Sequence, residues 1–436
     1  MTKSDLPAAK APRRDARGIS RRGLLKSGAA AAAASAFPAP MLWAQNIKDI
    51  TITHLGQSYS TIPEIEAKAN EELGFKVDMQ TAPDPTTHVN RLLTQPKTID
   101  VTDMPNTNLK YFTGRGVLMP VNVSDYKYWD KTLSLFVNGT YPDGTEASKQ
   151  GMAPIKAQYW TDETAQDYSP TPTDHLVGVP LYFNADTLGI RPDLIGRPIE
   201  SWAELLNPEF SGRVALQDGV SIGVADAAMA LEATGEITYG DKGNMTREEI
   251  DKTIEVLTAL KREGHFRSFW TNFDQSVQLM ASGEVLLQSM WSPAVTEVRT
   301  RGIDCKYNGM KEGYRGWYIM MSAMNHLEGL QRDCAIEYMN WMNSGWAGAF
   351  ISRQGFYNSV PENVMPFMSE NEWGYWYDGK PASEDILNPY GKVMEKAGVS
   401  RDGGSIWERM GNIGIWNTVM DEDRYLVRRW QDFIAA

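Results

Sequence analysis

Residues 47–104 read IKDITITHLGQSYSTIPEIEAKANEELGFKVDMQTAPDPTTHVNRLLTQPKTIDVTDM. Ile47 to Thr53 alternates with β-branched residues, as a strand does. Ile62, Ile65, Ala69 and Leu73 follow at helical spacing and Gly74 stops them. Phe75 to Met79 reads as a second strand, Val89 to Leu93 as part of a helix, and Ile99 to Met104 as a third strand. Strand, helix, strand, helix, strand in so short a span predicts a parallel sheet covered by helices, an α/β fold.

The same order recurs downstream. Val177 to Phe183 reads as a strand, and Ser201-Trp202-Ala203-Glu204-Leu205-Leu206 as a short helix capped by Ser201, with Glu204 at capping-box reach. Strands are expected at Val214–Leu216 and Val285–Met290. Helices are expected over 223–233, after a Thr246/Glu249 capping box, over 276–282 and over 333–343. Residues 141–175 and 361–405 break the rhythm with Pro, Asp and Ser, and read as long surface excursions. Tyr375, Trp376 and Tyr377 in the second excursion suit either a lid or loop packing.

Charge separates a leader from the body. Residues 1–44 hold eight Lys/Arg against Asp5 and Asp15, whereas residues 45–436 hold 35 Lys/Arg against 53 Asp/Glu. So acidic a body argues against a nucleic-acid backbone as partner. Ser20-Arg21-Arg22-Gly23-Leu24-Leu25-Lys26, before an alanine-rich run, resembles a twin-arginine export signal. The run is too short and weakly apolar to span a bilayer. Residues 1–44 are therefore expected to be a signal peptide, with the mature protein in the periplasm and no membrane insertion. That compartment permits a disulfide between Cys305 and Cys334.

Catalytic signatures are missing. There is no G-x-S-x-G, H-E-x-x-H, Walker A or dinucleotide glycine motif. The histidines are His54, His88, His175, His265 and His326, none at a metal-ligand spacing to another. Asp100 and Asp103 flank a strand end and read as local backbone caps. No enzyme, cofactor or metal is expected.

Three spaced segments carry a family resemblance: Gly178-Val179 with PLYFNADTL (Pro180–Leu188), SWAELLNPEFSGRVAL (Ser201–Leu216) and GEVLLQSMWS (Gly283–Ser292). Together they resemble the extracellular solute-binding proteins of ABC importers, in the branch that includes spermidine/putrescine-binding proteins. The resemblance implies a two-lobed periplasmic-binding-protein fold (type II) with a hinge and a central ligand cleft. It places one lobe at 45–182 plus 293–344 and the other at 183–292 plus 345–436, with crossings near 182–183 and 291–293. It implies a monomer whose partners are a small solute and a membrane permease.

Site residues follow from the same resemblance. Trp291 and Ser292 match the family's Trp-Ser segment, and Tyr182 lies at the other crossing. Asp218 matches an acidic position after the Val-Ala-Leu strand. Pro105-Asn106-Thr107 sits at a Pro-Ser-Thr turn of the family, giving Asn106 and Thr107, and Trp317 matches a return strand. Polyamine binders carry a Trp/acid cluster after the first strand; here stand Gln57, Ser58 and Tyr59. They also carry an acid soon after the matched Trp; here the first is Glu297. With fewer acids, a second ammonium lacks a partner, and burying it unpaired is costly. The aromatic part is kept, and aromatic faces bind cations. The expected ligand is a solute with one cationic amine-type group. A polyamine such as spermidine or putrescine, and an exported enzyme with a site assembled at long range, are the alternatives.

Overall fold

The computed structural model describes residues 47–436; the expected leader, 1–44, lies outside the described residues. The opening segment folds as β1 (Thr51–Gly56), α1 (Pro63–Glu72), β2 (Lys76–Thr81), α2 (Pro85–Thr94) and β3 (Val101–Pro105). β1 pairs in parallel with β2 and with β3. Pro63 and Pro85 open their helices, where a missing N–H costs nothing. Asp84 caps α2 by accepting from the Thr87 N–H at 2.8 Å. Ile65 and Ala69 of α1, and Val89 and Leu92 of α2, are the buried faces. The strand expected from Ile47 starts later, because the Ile50 N–H closes on the Ile47 carbonyl in a single 3-10 turn.

The chain continues through β4 (Val179–Ile190), β5 (Val214–Gln217), α3 (Val220–Thr234), α4 (Arg247–Arg262), β6 (Phe266–Trp270), α5 (Phe273–Ser282), β7 (Leu287–Met290) and α6 (Ser292–Thr300). β8 (Tyr314–Ala323), α7 (Gly329–Met342), β9 (Tyr357–Asn358), β10 (Ile413–Trp416) and α8 (Asp423–Ala435) follow. Thr246 and Glu249 form the expected capping box on α4. Ser201 caps only a 3-10 turn, and Glu204 turns away to pair with Arg197 at 2.8 Å, so no box forms there.

The strands join in the order β6-β5-β7-β4-β8-β3-β1-β2, with β9 added to β4 and β10 to β8. β4 and β8 organise everything else. They run antiparallel, Arg315 opposite Asp186 and Trp317 opposite Asn184. Each changes its other partner midway. β4 pairs with β9 at Tyr182 and Phe183, then with β7 from Thr187 onward. β8 pairs with β10 at Tyr314–Gly316, then with β3 from Ile319 onward. Separate cores form on the two sides of the switch. Leu55, Leu92, Met104 and Phe183 belong to one. Leu188, Leu216, Ile254 and Leu287 belong to a second. Trp270, Val277, Met290 and Val295 form a third cluster, which includes α6. This is the α/β two-lobed architecture of type II periplasmic binding proteins.

Both excursions turn out to be structured. Tyr159–Trp160, Tyr168–Ser169 and His175–Leu176 join Val121–Asn122 in a small sheet that buries Trp160 completely. In the second, Tyr375, Trp376 and Tyr377 are buried in the first core, so they are packing groups and not a lid. Cys305 and Cys334 are both free and buried; the disulfide that the compartment permits is not formed. Cys305 packs in the third cluster with Trp270 and Val298, and Cys334 lies on α7.

Candidate functional site

A cavity of about 990 Å³ lies where β4 and β8 change partners. It is at the upper end of the roughly 300–1,000 Å³ typical of small-molecule sites. Asn184 and Asp186 reach it from the middle of β4, and Trp317 and Ile319 from the middle of β8. The loop after β1 contributes Gln57, Ser58 and Tyr59. Thr107 and Asn108 enter from the turn after β3, and Trp291 from the end of β7. Strand ends and a strand switch thus set the wall, as in other open α/β sheets.

The aromatic side is preassembled. Phe356 lies 5.4 Å from the Trp317 ring and 6.1 Å from that of Tyr59, centroid to centroid. Trp291 is held edge-on by Trp270 at 4.9 Å and 85°. Such edge-to-face pairs leave a ring face free for a ligand.

Charge is one-sided. Among the described residues, the lining contains the carboxylates of Asp186 and Asp423 and no Lys, Arg or His. Asp186 is already engaged: the Tyr307 hydroxyl donates to it at 2.7 Å and Arg315 approaches to 3.5 Å. Burial pushes its carboxyl up, opposed by Arg315. Asp423 opens α8, half-buried, and makes no side-chain hydrogen bond or salt bridge with a described residue. Burial raises its carboxyl, opposed by the more distant Lys110 and Arg424. Asn108 lines the same wall, and its side-chain N–H is buried without an acceptor among the described residues.

Five of the residues read from sequence, Gln57, Tyr59, Thr107, Trp291 and Trp317, line this cavity. The other five stand elsewhere. Asn106 is fully buried behind the wall, donating to the Asn417 carbonyl at 2.6 Å and so placing Asn417, which does line it. Tyr182 is also behind the wall, donating to Asp103 at 2.8 Å and supporting Tyr59 edge-on at 5.9 Å. Ser292 accepts from the Asn184 amide at 3.3 Å and faces a side cavity of about 30 Å³. Asp218 accepts from the Trp430 indole N–H at 3.2 Å, outside the lining. Glu297 pairs with Lys392 at 2.7 Å.

Asp103 is not a local cap. It is a buried hub that accepts from Ser60 at 2.5 Å and Tyr182 at 2.8 Å and faces His54 Nε2 at 3.1 Å. Burial raises its carboxyl, but these bonds outweigh burial and hold it below the ordinary carboxylate value. Asp100 accepts from the distant Thr53 N–H at 2.8 Å. His54 bonds Tyr338 and Asp103, while His88 bonds Gln57 and Thr102. No group of three His, Cys, Asp or Glu that could hold a metal occurs among the described residues.

Reading the sequence missed Asn184, Asp186, Phe356 and Asp423. The first two had a signal: polar residues inside the apolar run of β4, whose every residue is buried. Asp423 had none, since its place depends on tertiary ties to its segment, Asn106–Asn417 and Lys110–Asp421 among them.

A two-lobed α/β body with one large, aromatic, acid-lined cavity at the strand switch is the build of a binding protein. The chain belongs to the family of bacterial extracellular solute-binding proteins, whose model matches residues 64–361. It is a non-catalytic transport protein acting outside the cytoplasm. Similar solved structures include the spermidine/putrescine ABC transporter substrate-binding protein PotD from Streptococcus pneumoniae, at 12% identity and TM-score 0.58, covering 88% of this chain and 97% of that one. An ABC transporter substrate-binding protein from Bradyrhizobium japonicum has 15% identity and TM-score 0.58, covering 88% and 100%. A spermidine/putrescine ABC transporter described as putative, from Listeria monocytogenes, has 13% identity and TM-score 0.57, covering 88% and 98%. At such identities the likeness concerns the fold. Comparison with curated proteins gives no match.

Proposed function

We propose that the protein is the solute receptor of an ABC importer that closes on an organic compound with one cationic group and presents it to a membrane permease. The carrying observation is the lining: carboxylates and aromatic faces with no cationic side chain. A cation over Trp291 or Trp317 gains about 0.5–2 kcal/mol. Asp423 is the countercharge in this reading, in place of Asp218. Asn108 accommodates a hydroxyl or carbonyl on the solute's other end.

A polyamine is the second reading, favoured by the presence of two carboxylates and by the likeness to PotD. Against it, Asp186 already faces Arg315 and Tyr307, which leaves a second ammonium poorly matched. The lobes divide, on this account, within β4 and within β8, so that α6 travels with the second lobe. Export through the twin-arginine signal and a monomeric state complete the proposal.

Calorimetric titration with choline, putrescine and succinate tests it. Choline-type monocations are expected to bind best. Tight putrescine binding would replace the monocation by a polyamine, and selective succinate binding would remove the cation reading.

A further inference from the structure

We propose that His88, which does not reach the cavity, orients the side-chain amide of Gln57 so that its carbonyl oxygen faces the cavity, a fixed acceptor for an N–H or O–H of the solute. The argument is a chain of proton directions that starts at a group with no choice. The Leu55 carbonyl can only accept, and Thr102 Oγ1 lies 2.8 Å from it. The single hydroxyl proton of Thr102 therefore points to Leu55. His88 Nε2 lies 2.8 Å from the same Thr102 oxygen. With that proton committed, Thr102 can only accept from the imidazole, so Nε2 carries a hydrogen. A neutral ring then has a bare Nδ1. Gln57 Nε2 is 2.7 Å away and donates into it.

This leaves Gln57 Oε1. It has no hydrogen-bond partner among the described residues, and Gln57 lines the cavity. The loop that carries it is itself fixed. The Gln57 backbone carbonyl accepts from the N–H groups of Ser60 and Thr61 and from the Thr61 hydroxyl at 2.8 Å, while the Ser60 hydroxyl gives its one proton to Asp103 at 2.5 Å. A freely turning glutamine would offer either a donor or an acceptor; this one offers an acceptor.

The neutral ring is what its surroundings favour. Burial holds the His88 imidazole below its ordinary value, opposed by Asp103 on β3 and by a hydrogen bond to the Leu55 backbone; His54 on β1 and Arg91 on α2 itself add to the lowering. A second proton on the ring would sit on Nδ1 and demand an acceptor. Gln57 would then turn over and show its NH₂ to the solute. His88 is thus a positioning residue for specificity at one point of the wall.

The inference rests on the receptor reading only for its use by a solute; the orientation itself is a property of the empty protein. Long-range ¹H–¹⁵N NMR of the ¹⁵N-histidine-labelled chain at pH 7, without solute, tests it. The expected His88 is neutral with the proton on Nε2, and Gln57→Met shifts its Nδ1 resonance and leaves Nε2 in place. A ring protonated at Nδ1, alone or with Nε2, overturns the inference whatever the protein binds. In a second arm, Gln57→Met is expected to weaken putrescine, which has N–H donors, about tenfold relative to tetramethylammonium, which has neither an N–H nor an O–H. Equal losses for the two overturn the acceptor role. If neither cation binds the wild type, the receptor reading for cations fails, while the NMR result still decides the orientation.

Discussion

Tyr182 donates its hydroxyl to Asp103 at 2.8 Å, tying β4 to β3 from positions 79 residues apart. The pair is almost fully buried, so Tyr182 supports the aromatic wall from behind and does not form it. Tyr182→Phe removes one donor from a buried carboxylate. A loss of about 1–3 kcal/mol of stability is expected, read by urea unfolding, with solute affinity changed less than threefold, on the order of 0.5 kcal/mol or less.

Asp423→Asn is expected to weaken a bound cation about 10- to 100-fold, the effect of losing a charged hydrogen-bond partner worth roughly 1.5–3 kcal/mol. Asp218→Asn is the control. Its carboxylate meets Trp430 outside the lining, so affinity should hold. Calorimetry on both variants, after far-UV circular dichroism shows them folded, checks the contrast.

Trp291→Ala removes a ring face and is expected to lower cation affinity by about 0.5–2 kcal/mol. Some stability goes with it, because Trp270 loses its edge-on neighbour. The binding loss should fall on cations and be small for an uncharged analogue of the same shape.

The buried His88 gives a pH signature. Its folded-state value lies below the ordinary 6.5. Between 6.5 and that lower value the unfolded chain binds more protons than the folded one, so stability falls as pH drops through the window. Asp103 acts lower down: its depressed carboxyl stabilises the fold above about pH 4, and that contribution is lost as pH falls through its folded value. Urea unfolding at pH 7.0 and 5.5 should show a decline for the wild type. His88→Gln should show a smaller one.

Arg315, on β8, is a buried charged group paired with carboxylates of two other elements, Asp186 on β4 and Asp226 on α3. It is 1% exposed, donates to Asp226 at 2.7 Å and to the Asn417 side chain at 2.9 Å. Arg315→Met leaves Asp226 buried without a countercharge, and a loss of about 3–5 kcal/mol is expected. Thermal unfolding measures it.

Local pattern carried the fold far. The alternation in β1 and the helical spacing of Ile65 and Ala69 are decided by nearby residues, and both elements formed. Of the residues that line the cavity, Gln57, Tyr59 and Trp291 came from the family resemblance, and each stands just past the end of a strand. The site was hidden where placement is tertiary. Asp423 begins α8 far along the chain, and ties to distant residues bring that segment to the wall: Asn106 to the Asn417 carbonyl, Arg315 to the Asn417 side chain and Lys110 to Asp421. Asp218 shows the converse: a residue in a matching segment was drawn off by a neighbour, Trp430, that no local pattern announces. The prolines of 361–405 signalled irregular backbone, but Pro361 opens a helical turn and Pro366 lies in a 3-10 turn, and the prolines said nothing of the aromatic groups that pack the segment.

The central claim is that the cavity holds one small organic cation. Mass spectrometry of small molecules released from the exported protein, purified without refolding, tests it most directly. The account predicts a stoichiometric compound with a single positive charge and an N–H or O–H donor. A stoichiometric anion in its place would contradict it.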